Sequence, residues 1–261
     1  MFNFKSLSYY CNLVDHKIFL LLQLALFKAA GFVFSTNYHR FKFFLPLKLK
    51  GGDKLLYMYE LFIQRNPVNE KFYNIISDPK YNYLLDLGAN IGSVSQYFLN
   101  QGASRQSILI EPQKRCYEYL KKTINPYRTQ IYCIAAGSVS SKSKLYKKNE
   151  MDVNASIFII PHKHYGRFSD KAKKNESISM SPVDVLNLNS KVDLIKINIE
   201  GGEPAAIMGM TELIKKNKPD ILFDPHSEYN LIRVKELLNE ICPYKITQID
   251  EINYLGEPDA V

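Results

Sequence analysis

Tyr83-Leu-Leu-Asp-Leu-Gly-Ala-Asn-Ile-Gly92 decides the fold. The apolar run Tyr83 to Leu87 reads as a buried parallel strand. Gly88 lets the backbone turn sharply and Gly92 lets the next helix approach closely. An apolar strand running into Asp-x-Gly-x-x-x-Gly builds a cradle for an adenosyl ligand, which assigns Asp86, Gly88, Asn90 and Gly92 to that ligand. Asp86 either polarises the turn or reaches the ligand. The motif is neither the phosphate loop Gly-x-x-x-x-Gly-Lys-Ser/Thr nor Gly-x-Gly-x-x-Gly, so it does not point to a pyrophosphate. Alone it is moderately specific, because a strand, a glycine turn and a helix also pack any α/β unit.

Working outward, Ser107-Ile-Leu-Ile-Glu111 is a second apolar strand ending in an acid. It lies roughly 20 residues past the glycine turn, where doubly wound folds place the carboxylate that holds ribose hydroxyls. Glu111 is the expected ribose ligand. A third strand, Gln130-Ile-Tyr-Cys-Ile-Ala-Ala136, ends in small residues. They leave a slot at Ala136 where an adenine ring can lie, although close packing explains them equally well. Beyond these, the pattern predicts helices at 92–101, 113–124, 203–217 and 228–241, strands at 193–199 and 220–224, and an irregular insert over 137–180. Strands at 244–249 and 253–255 make a terminal hairpin. Alternating strands and helices mean an α/β fold, a doubly wound, mostly parallel Rossmann-like sheet with an antiparallel C-terminal hairpin. Asp86, Glu111, Ala136, Glu200 and Asp224 all fall at strand carboxyl ends, the rim where such sheets bind ligands. The expected organisation is a helical, apolar extension over 1–75 and a ligand-binding domain over 76–261.

Val192-Asp-Leu-Ile-Lys-Ile-Asn-Ile-Glu-Gly-Gly-Glu203 narrows the class. It resembles the signature of FkbM-family methyltransferases, in which an apolar strand carries Lys-Ile-Asp-x-Glu-Gly-x-Glu and leads into a helix. Lys196, Glu200, Gly201 and Glu203 match it; Asn198 stands where the family has Asp, and a neutral amide can orient but cannot act as a base. Ser181-Pro-Val-Asp-Val-Leu186 and Ile221-Leu-Phe-Asp-Pro-His226 look like the family's neighbouring elements, so the resemblance covers about residues 81 to 250. It implies a class I methyltransferase using S-adenosyl-L-methionine. The implied reaction is O-methylation of a small acceptor, a sugar, glycan or natural product. Glu200, Asp224 and His226 are then placed near the reacting centre.

Neutral His226 could accept a hydroxyl proton, or simply hydrogen-bond a loop. Glu203-Pro204 suits a first helical turn, where the dipole favours an acid and proline's fixed φ is accommodated. Lys196, inside an apolar strand, either pairs with a nearby buried acid, the preferred reading, or lets its head escape along the sheet's edge. The insert, with Asn154-Ala-Ser156, His162, His164, Tyr165 and Arg167, offers groups suited to hydroxyl-rich acceptors. No metal is expected, because His162-x-His164 has no carboxylate or cysteine at ligand spacing.

At 261 residues, 46% of them hydrophobic, the chain can bury one large core plus an extension. Cys11, Cys116, Cys133 and Cys242 are scattered, which fits a reduced, cytoplasmic setting. A net charge of +8 is spread along the chain rather than gathered with aromatics in a stripe, so no nucleic-acid partner is expected. The apolar residues 18–34 are interrupted by Lys28, which costs about 3 kcal/mol at a bilayer centre. They suit a covering helix, preferred here, a peripheral membrane contact helped by Lys42, Lys48, Lys50 and Lys54, or a homodimer interface. A domain that keeps the fold as a binding module without activity is the alternative to the enzyme, and a nucleic-acid methyltransferase a weaker one.

Overall fold

The computed structural model describes residues 35–38, 41–44, 70–147, 155–157, 174–188 and 191–259. Residues 18–34, Lys48, Lys50, Lys54, Asn154, His162, His164, Tyr165 and Arg167 lie outside them, and of Lys42 only the backbone is described. The chain divides into two compact units, Met1–Ile76 and Ser77–Val261. The first holds an antiparallel pair, β1 (Ser35–Tyr38) and β2 (Phe41–Phe44), and α1 (Glu70–Ser77) leads out of it. Among the described residues no helix is long and apolar enough to cross a membrane.

The second unit runs β3 (Tyr83–Leu87), α2 (Ser93–Asn100), β4 (Gln106–Ile110), α3 (Lys114–Thr123), β5 (Thr129–Tyr132) and β6 (Ala135–Ala136). β7 (Ser141–Lys147), β8 (Lys174–Ser181), β9 (Leu194–Ile197), α4 (Glu203–Met208) and α5 (Thr211–Asn217) follow. β10 (Asp220–Phe223), α6 (Glu228–Ile241), β11 (Tyr244–Gln248) and β12 (Tyr254–Pro258) complete it. Seven strands form one sheet in the order β11-β12-β10-β9-β3-β4-β5. β5, β4, β3, β9 and β10 are parallel, and β12 inserts antiparallel between β10 and β11.

The sequence explains this arrangement. Leu84, Leu85, Leu87, Leu194, Ile195 and Ile197 are all fully buried, as unbroken apolar runs must be in strands covered on both faces. The chain winds outward from β3 to β5, then crosses back to place β9 on the other side of β3. Strand order reverses there, and a crevice opens at the carboxyl ends of β3 and β9.

Three expectations are corrected. The third strand leaves the sheet after Tyr132, and Ala135–Ala136 pairs instead with β8 in a separate three-stranded sheet, β6-β8-β7. The insert is not irregular at its ends, because β7 and β8 pair antiparallel from Ser141↔Met180 to Lys147↔Lys174. The helix expected over 203–217 is two helices, broken at Gly209, where a Cβ would stand 1.9 Å from the Gly137 carbonyl oxygen.

Candidate active site

The turn after β3 is built from left-handed residues, with φ of +74° at Gly88, +49° at Asn90 and +81° at Gly92. The Gly88 and Ala89 amides donate to the Ile110 carbonyl at 3.0 and 3.2 Å, tying the turn to the end of β4. A Cβ on Gly88 would lie 2.0 Å from the Asn198 carbonyl oxygen, so only glycine lets the β3 and β9 ends approach this closely. At Gly92 a Cβ would meet Leu120 at 2.6 Å, so this glycine serves the packing of α2 against α3.

Glu111 follows β4 and is 2% exposed. Its Oε2 accepts from the Asn90 amide and its Oε1 from the Gln113 amide, both at 2.7 Å. Burial pushes its carboxyl up to about 7 against the opposing pull of those two amides and the Lys196 charge. Asp86 is wholly buried, pairs with Lys196 Nζ at 3.1 Å and accepts from Ser95 Oγ at 2.8 Å. Lys196 also donates to the carbonyls of Leu87 and Gly88 at 3.2 and 2.9 Å. The lysine inside the apolar strand thus has its acid, and the pair braces the turn from behind.

The turns after β3, β4 and β9 line one open cleft. Gly88, Asn90, Glu111, Asn198 and Glu200 line it, facing an apolar wall that includes Leu145, Ala155 and Ile157 from the insert. Ser156 pins that wall, donating to the Glu200 carbonyl at 2.7 Å, while its backbone pairs with Tyr146.

Beside the cleft, His226 is packed among three carboxylates. Its Nε2 is 3.3 Å from Glu200 and 3.6 Å from Asp224, and its Nδ1 is 3.2 Å from Glu203. Burial lowers the imidazole's affinity for a proton, but hydrogen bonds and charge from Glu200 and Glu203 outweigh it and push the pKa up to about 11. Burial likewise raises the Asp224 carboxyl, opposed by His226. Glu200 and His226 both take left-handed backbone, with φ of +58° each, uncommon for residues with a Cβ and concentrated at functional sites.

The structure brings Gly88, Asn90, Glu111, Ala136 and Glu200 to the cleft wall and sets Asp224 and His226 behind Glu200. Two residues assigned to the ligand stand elsewhere: Asp86 is sealed against Lys196, and Gly92 is buried against Leu120. Of the two readings for His226, a neutral proton acceptor or a histidine hydrogen-bonded to its loop, the second is met by its Nδ1 at 2.9 Å from the Asp224 carbonyl, and its carboxylate neighbours push its pKa up, against the neutral form. Asn198, which the sequence marked as a departure from the family's Asp, is exposed at the end of β9 on the cleft wall. Sequence reasoning missed Glu203 as a partner of His226, because an acid in a first helical turn is ordinary. Ser156, read only with the insert as a group for the acceptor, gave no sign of its bond to the Glu200 carbonyl. Among the described residues no group of three or more His, Cys, Asp or Glu is arranged to hold a metal ion.

This sheet order, with its glycine turn and strand-end acid around a switch-point cleft, is the class I methyltransferase fold. The family follows from the sequence match. The Methyltransferase FkbM domain matches residues 86–252, more than half of the chain, and the chain belongs to that family. Among curated proteins the sequence has no match. Among solved structures, the methyltransferase FkbM from Methylobacillus flagellatus KT is similar over 80% of this chain and 55% of its own, at 15% identity and TM-score 0.49. The chain thus spans little more than half the length of that protein. Precorrin-6y C5,15-methyltransferase from Geobacter metallireducens GS-15 is similar over 74% and 89%, at 11% identity and TM-score 0.41. Aeropyrum pernix fibrillarin in complex with S-adenosyl-L-methionine is similar over 68% and 66%, at 10% identity and TM-score 0.39.

Proposed function

We propose that the protein transfers a methyl group from S-adenosyl-L-methionine to a hydroxyl oxygen of a small acceptor, a sugar, glycan or hydroxylated natural product. The observation that carries the cofactor is Glu111. A carboxylate 2% exposed, at a cleft wall, on the strand next to a turn where a Cβ would clash, matches the chemistry of a ribose diol. Each oxygen accepts one backbone amide and the Gln113 side chain adds a third hydrogen bond, so of a carboxylate's about four acceptor positions about one remains for a ribose hydroxyl. Gly88 and Asn90 shape the turn beside it, and Ala135 and Ala136 leave room for a flat ring. When bound, the cofactor supplies an electrophilic methyl group on a sulfonium.

The chain's own residues do the rest. Insert residues Leu145, Ala155 and Ile157 put apolar side chains on the cleft lining, where they disfavour water beside a bound ligand. Asn198 presents a neutral amide at the wall, able to orient a hydroxyl. Glu200 accepts the hydroxyl's proton while the bonding pair stays on oxygen; Asp224 and His226 stand behind it. A hydroxyl oxygen acquiring a methyl group becomes strongly acidic, so a carboxylate is a sufficient base. The fold-only binding module remains the competing account, favoured by Asn198 where the family has Asp.

The test is transfer of radiolabelled methyl from S-adenosyl-L-methionine to a panel of methyl glycosides. Label in an ether product, at least about a hundredfold lower for Glu200→Gln, is the expected outcome. With amino- and thio-sugar analogues added to the panel, label found only in amine or thiol products would refute O-methylation.

A further inference from the structure

Resting on the reading of the cleft as a methyl-transfer site, we infer that Glu203, His226 and Glu200 form a carboxylate–imidazolium–carboxylate relay, in which His226 is a fixed cation that positions Glu200 at the cleft wall. The geometry carries this. Nδ1 faces the Asp224 carbonyl at 2.9 Å and Glu203 Oε1 at 3.2 Å; Nε2 faces Glu200 Oε1 at 3.3 Å and Asp224 Oδ2 at 3.6 Å. Acceptors thus meet both ring nitrogens, and a neutral imidazole would turn a lone pair against one set of them. The imidazolium, with two N–H donors, matches both.

The far end of the relay is anchored. Glu203 is fully buried; its Oε1 accepts from the Gly201 amide at 3.1 Å, and its Oε2 from Asn230 Nδ2 at 3.1 Å. Asn230 also donates to the Gly201 carbonyl at 3.3 Å, so α6 and the β9–α4 turn hold Glu203 from two sides. Among the described residues, the carboxylates facing His226 include Glu200 and Glu203 from that turn and Asp224 from its own, whose Oδ1 accepts the His226 amide at 3.0 Å. The left-handed backbone at Glu200 and His226 swings the two side chains together, a conformation that persists only where its surroundings enforce it. His226 is therefore a positioning residue, and the proton-accepting role falls to Glu200, which lines the cleft.

The test is nitrogen NMR of the full chain labelled at histidine, titrated in the absence of any ligand. Loss of a signal in His226→Gln assigns His226 among the five histidines, and sequential connectivity assigns it if that variant does not fold. In the wild type both ring nitrogens should stay protonated to about pH 9, well above the ordinary histidine midpoint near about 6.5. Glu200→Gln and Glu203→Gln should each lower the midpoint by about one pH unit or more. A wild-type midpoint near the ordinary value, or one unmoved in both variants, overturns the relay. Calorimetric titration with S-adenosylhomocysteine keeps the two claims apart. Wild type that binds nothing while His226 stays charged removes the cofactor reading and leaves the relay standing; a neutral His226 in protein that binds removes only the relay.

Discussion

Gly88→Ala puts a methyl group into the tightest point of the site. The added carbon would sit 2.0 Å from the Asn198 carbonyl oxygen and 3.0 Å from both the Asn198 carbonyl carbon and Ile199 Cγ2, at a φ of +74°. The left-handed backbone alone costs an L-residue about 1–2 kcal/mol. Relieving a backbone clash of this kind costs about 1–3 kcal/mol more, because the ends of β3 and β9 must part. The sum is about 2–5 kcal/mol, or roughly 5–15 °C in melting temperature for a unit of this size. Chemical denaturation of wild type beside Gly88→Ala measures it. Gly102→Ala is the control: its nearest neighbours are Arg105 side-chain atoms at 3.4 Å or more, so it should change stability by no more than about 0.5 kcal/mol. Because Asn198 lines the cleft, folded Gly88→Ala should also lose at least about tenfold in affinity for S-adenosylhomocysteine. A Gly88→Ala protein as stable as the Gly102→Ala control would refute the claim that this glycine holds the two strand ends together.

Glu111 sets a pH dependence whose sign follows from its raised pKa. Between the ordinary value of 4.5 and about 7 the folded chain holds a proton that the unfolded chain has lost, so stability falls as pH rises through that window. The fall should amount to about 3 kcal/mol, and Glu111→Gln should flatten it, as read by urea denaturation at several pH values. Conversely, affinity for S-adenosylhomocysteine should rise with pH towards about 7 as the carboxylate that accepts hydroxyls forms, and level off above it. Removing one partner of the buried pair, in Asp86→Ala, should cost about 3–5 kcal/mol of stability, since it strands the Lys196 charge among apolar strands. A loss under about 1 kcal/mol in denaturation would show that the pair does not brace the turn.

The alternation of strands and helices and the terminal hairpin were legible because buried parallel strands are continuous apolar runs and glycines mark the turns. Glu111 was legible by its spacing from Gly88, and Glu200 by its place after the central strand. Three local features were not. The break at Gly209 comes from the approach of Gly137, which lies far away in sequence. The pairing of β7 with β8 is hidden because Ser141 to Lys144 and Ser177 to Ser181 present mostly polar side chains and the partners are widely separated. The course of Ala135–Ala136 depends on that same pairing. At the site, sequence supplied the residues without their facing: Asp86 and Asn90 share one motif, yet one is turned to Lys196 and the other lines the cleft. The raised proton affinity of His226 draws on Glu200 and on Glu203, an acid whose helix-start position accounted for it fully until the fold brought it against the ring.

The most direct test of the central claim is calorimetric titration of the wild type and of Glu111→Gln with S-adenosylmethionine and S-adenosylhomocysteine. The account predicts saturable one-to-one binding of both by the wild type, weakened by about 1–3 kcal/mol in folded Glu111→Gln, the cost of leaving buried hydroxyls unpaired. Folded wild type that binds neither compound, or affinity unchanged in Glu111→Gln, would contradict it.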